Sequence, residues 1–178
     1  MWTSFIGFMA SGKSTLTRRL QNTTSRPAVF LDEVIEEEAG RSIADIFAAE
    51  GEDAFRKMEL AALSGLNPRR NLLLDTGGGI VQTPPAVDLL RARGVVIWLD
   101  VSWDVVRSRL KADSAGRRPL VEVLGWAGVE ELFRARRPLY AAAADFRLRA
   151  HDLDVEQLAR IAMLRSLIFS RRREGPVR

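Results

Sequence analysis

Short apolar runs alternate along the chain with stretches whose apolar residues recur every three or four positions. Trp2–Ile6, Ala28–Leu31, Leu72–Leu74, Gly94–Asp100 and Phe146–Leu148 read as strands. Gly94–Asp100 is almost continuously apolar, as expected of a strand buried on both faces. Helical stretches are expected at Lys13–Gln21, Glu33–Ala39, Ile43–Glu50, Asp53–Leu66, Pro84–Ala92, Trp103–Lys111 and Val129–Ala143. Gly40 and Gly51 punctuate them, and Pro84 stands where a helix start tolerates proline. A last amphipathic helix, Val155–Phe169, carries Val155, Leu158, Ile161, Ala162, Leu164 and Ile168 on its apolar side. Residues 112–123 are polar and arginine-rich, with no clear period. Strands alternating with helices predict one α/β domain built on a mainly parallel sheet. With no internal repeat and no linker, that domain spans residues 1–169, and residues 170–178 read as a basic tail that frays.

Composition narrows the chemistry. The 178 residues are 47% apolar, enough for one core and too many for a disordered chain. There is no cysteine and a single histidine, His151, which excludes disulfide frameworks, thiol nucleophiles and cysteine- or histidine-rich metal sites. The 27 basic residues outnumber the 23 acidic ones, giving a net charge of +4, and only Lys13, Lys57 and Lys111 are lysines. Guanidinium forks suit carboxylate and phosphate partners, although compositional bias explains much of the surplus equally well. Basic residues are dispersed and their longest run is Arg171–Arg173, so no nucleic-acid partner is expected. The N-terminus lacks the basic start of a signal peptide. Apolar runs fall far short of the ~20 residues of a membrane span, so a cytoplasmic protein without a membrane partner is expected.

Gly7-Phe8-Met9-Ala10-Ser11-Gly12-Lys13-Ser14 fits G-x-x-x-x-G-K-[ST] at every fixed position, between a strand and a helix. Glycines let such a loop turn its N–H groups onto phosphate oxygens, and the helix N-terminus adds positive potential. Ala10, Ser11, Gly12, Lys13, Ser14 and Thr15 are therefore expected to hold ATP. Lys13 reaches the β- and γ-phosphates, and the Ser14 hydroxyl faces Mg²⁺.

Beyond this cradle the chain resembles the shikimate kinase family. Asp32-Glu33-Val34-Ile35-Glu36, Gly40, Ser42-Ile43 and Ile46-Phe47 look like its D-x-x-I-E-x-x-x-G-x-S-I-x-x-I-F. Gly51-Glu52, Phe55-Arg56 and Glu59 look like G-E-x-x-F-R-x-x-E; Gly77-Gly78-Gly79, Arg118-Pro119-Leu120 and Arg136-x-Pro138-Leu139-Tyr140 follow in family order. The resemblance implies a single P-loop kinase domain, with a five-stranded parallel sheet flanked by helices and a mobile lid near residues 112–123. It implies a monomer that phosphorylates the 3-hydroxyl of shikimate. Arg56, Arg136 and Gly78 would bind the substrate, between walls formed by Phe47, Phe55, Pro119 and Leu120. Asp32 would orient the attacking hydroxyl and take its proton, and Arg118 would contact the nucleotide and stabilise the transferring phosphoryl group. Arg56 as an ordinary helix pair with Glu59, and Asp32 as a helix cap, are structural readings of the same residues.

Three departures matter. The family's D-x-D after the second strand is Phe30-Leu31-Asp32 here, without its first carboxylate. The third apolar run ends in Asp75, the pattern of a Walker B segment, so Asp75 is expected to join Ser14 at the metal. A turn accepting backbone hydrogen bonds is the other reading of Asp75. The V-D-T of the last strand is replaced by Leu148-Arg149-Ala150, and Lys111 stands where the family packs an arginine on adenine. The alternative functions are a catalytically impaired ATP-binding relative, or a P-loop kinase for another small hydroxylated acid.

Overall fold

β1 (Trp2–Ile6), β2 (Ala28–Phe30), β3 (Leu73–Asp75), β4 (Gly94–Asp100) and β5 (Phe146–Arg149) pair into one all-parallel sheet in the order β2-β3-β1-β4-β5. The structure is a computed structural model and describes residues 1–68, 70–112 and 119–174. The expected five-stranded architecture is therefore observed. Every residue of β1, β3 and β4 is buried, whereas β2 and β5 form the half-covered edges. This explains why the central runs read as continuously apolar and Phe146–Arg149 alternates.

The helices are α1 (Lys13–Thr23), α2 (Leu31–Ala39), α3 (Ile43–Gly65), α4 (Pro84–Arg93), α5 (Trp103–Ala112), α6 (Pro119–Ala143) and α7 (Val155–Glu174). Two of them are bent at glycines in the left-handed region. Gly51 (φ 81°) divides α3 into the two arms expected from the sequence, and Gly125 (φ 66°) bends α6. The Ser42 hydroxyl caps α3 by accepting from the Asp45 N–H. None of the described helices is long and apolar enough to cross a membrane.

Several boundaries differ from the sequence reading, most by one or two residues. Leu31 opens α2 instead of ending a strand, because its side chain is fully buried beneath that helix. Pro119–Val123, expected to lack a period, form the first turns of α6, where proline fits the helix start. α7 runs on through Ser170 to Glu174, residues expected to belong to the tail. Arg118 and the rest of residues 113–118 of the expected lid lie outside the described residues.

The sheet also positions the chemistry. β1 lies between β3 and β4, so the chain reverses its direction of growth across the sheet there. The crevice at the carboxyl ends of such strands is where open α/β sheets bind ligands. Phe5 of β1, Asp75 of β3 and Phe30 of β2 are register partners in one row at that end.

Gly94 begins β4 against β1, and a Cβ there would lie 1.9 Å from the Trp2 carbonyl oxygen. Backbone cannot yield as a flexible side chain does. Gly94→Ala should lose roughly 1–3 kcal/mol of stability. In urea unfolding this reads as a lower midpoint with an unchanged slope.

Candidate active site

The loop between β1 and α1 makes the first half of the site. Ala10 (φ 58°) and Gly12 (φ 98°) both adopt left-handed backbone, and α1 has no acidic residue in its first turn to compete for an anion. Lys13 Nζ donates to the carbonyls of Gly7 (3.0 Å) and Phe8 (3.3 Å). Burial lowers the Lys13 pKa, while the negative charges of Asp75 and Asp32 oppose that shift. Ser11 Oγ is buried without a hydrogen-bond partner among the described residues. Residues 10–16 line a cavity of about 470 Å³ together with Arg109, Ala150, Leu153, Val155 and Leu158. Six of the seven expected nucleotide contacts, Ala10 to Thr15, line it; the seventh, Arg118, lies outside the described residues.

Arg109 is a residue that sequence reasoning missed. Its Nη1 donates to the Ala10 carbonyl at 2.9 Å, over the mouth of the cradle. Lys111, which the resemblance places near the adenine-packing position, instead holds its ammonium 5.6 Å from the Trp126 ring centre. One helical turn separates neighbours on a helix face, so a shift of two residues moves a side chain to a different face. His151 pairs with Asp152 (3.4 Å) and does not line the cavity.

The second half is gathered by the turn after β3. A Cβ at Gly77 would lie 2.7 Å from Asp32 Oδ1 and 2.9 Å from Glu59 Oε1. The carboxylates of α2 and α3 therefore converge over this glycine. The Gly78 carbonyl accepts from Arg136 Nη1 at 3.4 Å and from the Tyr140 hydroxyl, which ties α6 to the turn. A Cβ at Gly78 would also come within 3.3 Å of the Met9 nitrogen in the cradle. At Gly79 a Cβ would collide with the Arg56 guanidinium at 2.0 Å. Asp32, Arg56, Gly78 and Arg136, taken from four different elements, are thus brought together around one turn.

The charges here are buried and incompletely satisfied. Arg56 forms ion pairs with Glu59 (2.8 Å) and Glu52 (2.9 Å), so the helix-pair reading holds, while the guanidinium still packs on Gly79. Burial acts to lower the Arg56 pKa, but the charge and hydrogen bonding of Glu59 and Glu52 leave it raised. Burial lowers the pKa of Arg136, and its Nε has no partner among the described residues. Glu59, missed as a site residue, is 0% exposed and its Oε1 is likewise unpartnered. Burial raises the pKa of Asp32 against the opposing charge of Lys13, with Asp75 and Glu36 adding to the rise. Unpaired buried donors and acceptors are costly unless a polar ligand or water satisfies them. Phe47 and Phe55, with ring centres 4.8 Å apart, supply an apolar wall, and Leu120 is 39% exposed at the start of α6.

Asp75 also lies at this junction, near the Ser14 hydroxyl and the Lys13 ammonium. Burial raises its pKa, and the Lys13 charge and the Ser14 hydroxyl oppose the rise. The arrangement offers a polyphosphate cradle on one side of the triple glycine, and a carboxylate with two guanidinium groups on the other. It suits transfer of a phosphoryl group to an anionic, hydroxylated small molecule.

Comparison with known proteins agrees with that chemistry. The family model described as shikimate kinase matches residues 9–165. Shikimate kinase from Symbiobacterium thermophilum is 40% identical over 144 residues, covering 80% of this chain and 83% of that protein. Its counterpart from Vibrio parahaemolyticus is 37% identical over 155 residues, covering 86% and 89%. The structure of shikimate kinase from Acinetobacter baumannii in complex with shikimate superposes with a TM-score of 0.81 at 30% identity, covering 93% of this chain and 94% of that one. With the cradle, the triple-glycine turn and the guanidinium pair in place, the chain belongs to the shikimate kinase family.

Proposed function

We propose that the protein transfers the γ-phosphoryl group of ATP to the 3-hydroxyl of shikimate. The observation that carries this reading is the convergence of Asp32, Arg56 and Arg136 on the Gly77–Gly79 turn, directly beside the Lys13 cradle. Arg56 and Arg136 hold the substrate carboxylate, which gives the unpartnered Arg136 Nε an acceptor. Asp32 accepts the proton of the attacking hydroxyl as its oxygen bonds to the γ-phosphorus. The bond from phosphorus to the bridging oxygen breaks, and ADP leaves. Lys13 stabilises the charge that spreads over the phosphoryl oxygens, and Arg118 is assigned the same task from the lid. Arg109, with the apolar residues Leu153, Val155 and Leu158, is assigned to the nucleotide base side of the cavity.

The residues present fit Mg²⁺. Ser14, in the cavity lined by the nucleotide loop, would offer the ion a hydroxyl oxygen, a hard donor of the kind that Mg²⁺ takes beside the phosphates of its nucleotide. When bound, the ion neutralises charge on the β- and γ-phosphates.

A coupled assay should show ADP release that depends on shikimate and not on gluconate or nucleoside monophosphates. ATP binding without shikimate-dependent ADP release would make the protein a nucleotide-binding module instead. Arg136→Gln should raise KM for shikimate roughly 10- to 100-fold, the worth of a charged hydrogen bond, and leave KM for ATP within about twofold.

Only ionised Asp32 accepts a proton, so activity falls as pH drops through its pKa. Because burial raises that pKa above the usual 3.8, kcat/KM for shikimate should decline at higher pH than an ordinary aspartate would allow. Asp32→Asn should lower kcat roughly 10²- to 10⁴-fold and abolish that acid limb in a pH–rate profile.

A further inference from the structure

P-loop proteins hold Mg²⁺ between the loop hydroxyl and a carboxylate at the end of a neighbouring strand. Two strand ends stand in line with the cradle here. β2 ends in Phe30, whose ring lies under the Arg18 guanidinium of α1 at 4.2 Å. That end therefore presents an apolar ring to α1, and Arg18 is further tied to Glu33 at 2.6 Å. β3 ends in Asp75, the register partner of Phe30 on one side and of Phe5 on the other. Side chains in register on parallel strands share a face of the sheet. Asp75 thus points the same way as Phe30, one strand nearer to β1, which delivers the loop.

The surroundings of Asp75 match a cation rather than a turn. Its side chain is buried, at 7% exposure, beside the Ser14 hydroxyl and within the field of Lys13. Among the described residues it makes no ion pair, in contrast to the buried Asp100, which binds Arg137 (2.8 Å) and Arg147 (2.5 Å). A buried carboxylate with a hydroxyl neighbour and no ion-pair partner is costly unless a counter-charge arrives. An oxygen pair of Ser14 and Asp75 is also the hard donor set that Mg²⁺ prefers.

We infer that Asp75 and Ser14 together form this chain's divalent-cation site, the carboxylate being supplied from β3 because β2 ends in Phe30. The inference rests on the phosphoryl-transfer reading above. It assigns Asp75 to cation retention and leaves the substrate groups on the other side of Gly77–Gly79 untouched.

The test uses Mn²⁺ as the probe ion. Its binding to the full chain with saturating ADP is followed by electron paramagnetic resonance, and ADP binding without metal by calorimetry. Asp75→Asn should weaken Mn²⁺ binding in the ADP complex by roughly 10- to 100-fold, the usual effect of losing a carboxylate that supports a metal. Metal-free ADP should bind as tightly as before or tighter, because a negative charge near the phosphates is gone. The double variant Phe30→Asp, Asp75→Asn should regain most of the Mn²⁺ affinity, since the two positions are in register. Unchanged Mn²⁺ affinity in Asp75→Asn overturns the inference. So does a parallel loss of Mn²⁺ and metal-free ADP binding, which marks a structural role. A parent protein that binds no ADP at all overturns the phosphoryl-transfer reading instead.

Discussion

The close packing of the Gly77–Gly79 turn is the constraint on which the site depends. Each glycine faces a different part of the molecule: Gly77 the Asp32 and Glu59 carboxylates, Gly78 the cradle backbone, and Gly79 the Arg56 guanidinium. The Gly78 carbonyl is also tied to Arg136 and Tyr140 of α6. One side chain at any of the three would push a different functional group out of place. The absence of side chains lets α2, α3, α6 and the nucleotide loop meet within contact distance, and positioning of this kind accounts for most of phosphoryl transfer.

This convergence has an electrostatic cost. Lys13, Asp32, Glu59, Asp75 and Arg136 are taken largely out of water in one small volume. For each of them burial pushes the pKa toward the neutral form, and for each the charge of a neighbour pushes back. Structural pairs elsewhere, such as Asp100 with Arg137 and Arg147, are complete within the protein. The site's groups are incomplete, with Glu59 Oε1, Arg136 Nε and Ser11 Oγ unpartnered among the described residues. Perturbed charged groups gathered in one crevice, some with an atom still open to a partner, mark a place for ligands.

Much of this was legible in the residues. The strand–loop–helix of the cradle is local, so spacing alone identified it down to Ala10–Thr15. The buried central strands announced themselves as unbroken apolar runs, and Gly51 marked the bend of α3. The position of Arg109 was not legible, because the resemblance puts the adenine-packing position near Lys111. Only the rotation of α5 shows which side chain faces the loop. Glu59 looked like a helix partner of Arg56; its second oxygen, pointing at Gly77 and Asp32, belongs to no local pattern.

The sequence by itself determined the class of chemistry. A phosphate-binding loop is encoded in eight consecutive residues, and the acceptor groups recur at spacings that need no folding to recognise. Tertiary structure decided which of these groups meet and in what register. That Phe30 and Asp75 occupy equivalent strand ends, with Asp75 beside Ser14, follows from how β2, β3 and β1 pair. Pairing between strands joins residues far apart in the chain, through backbone hydrogen bonds that carry no mark in the one-dimensional pattern.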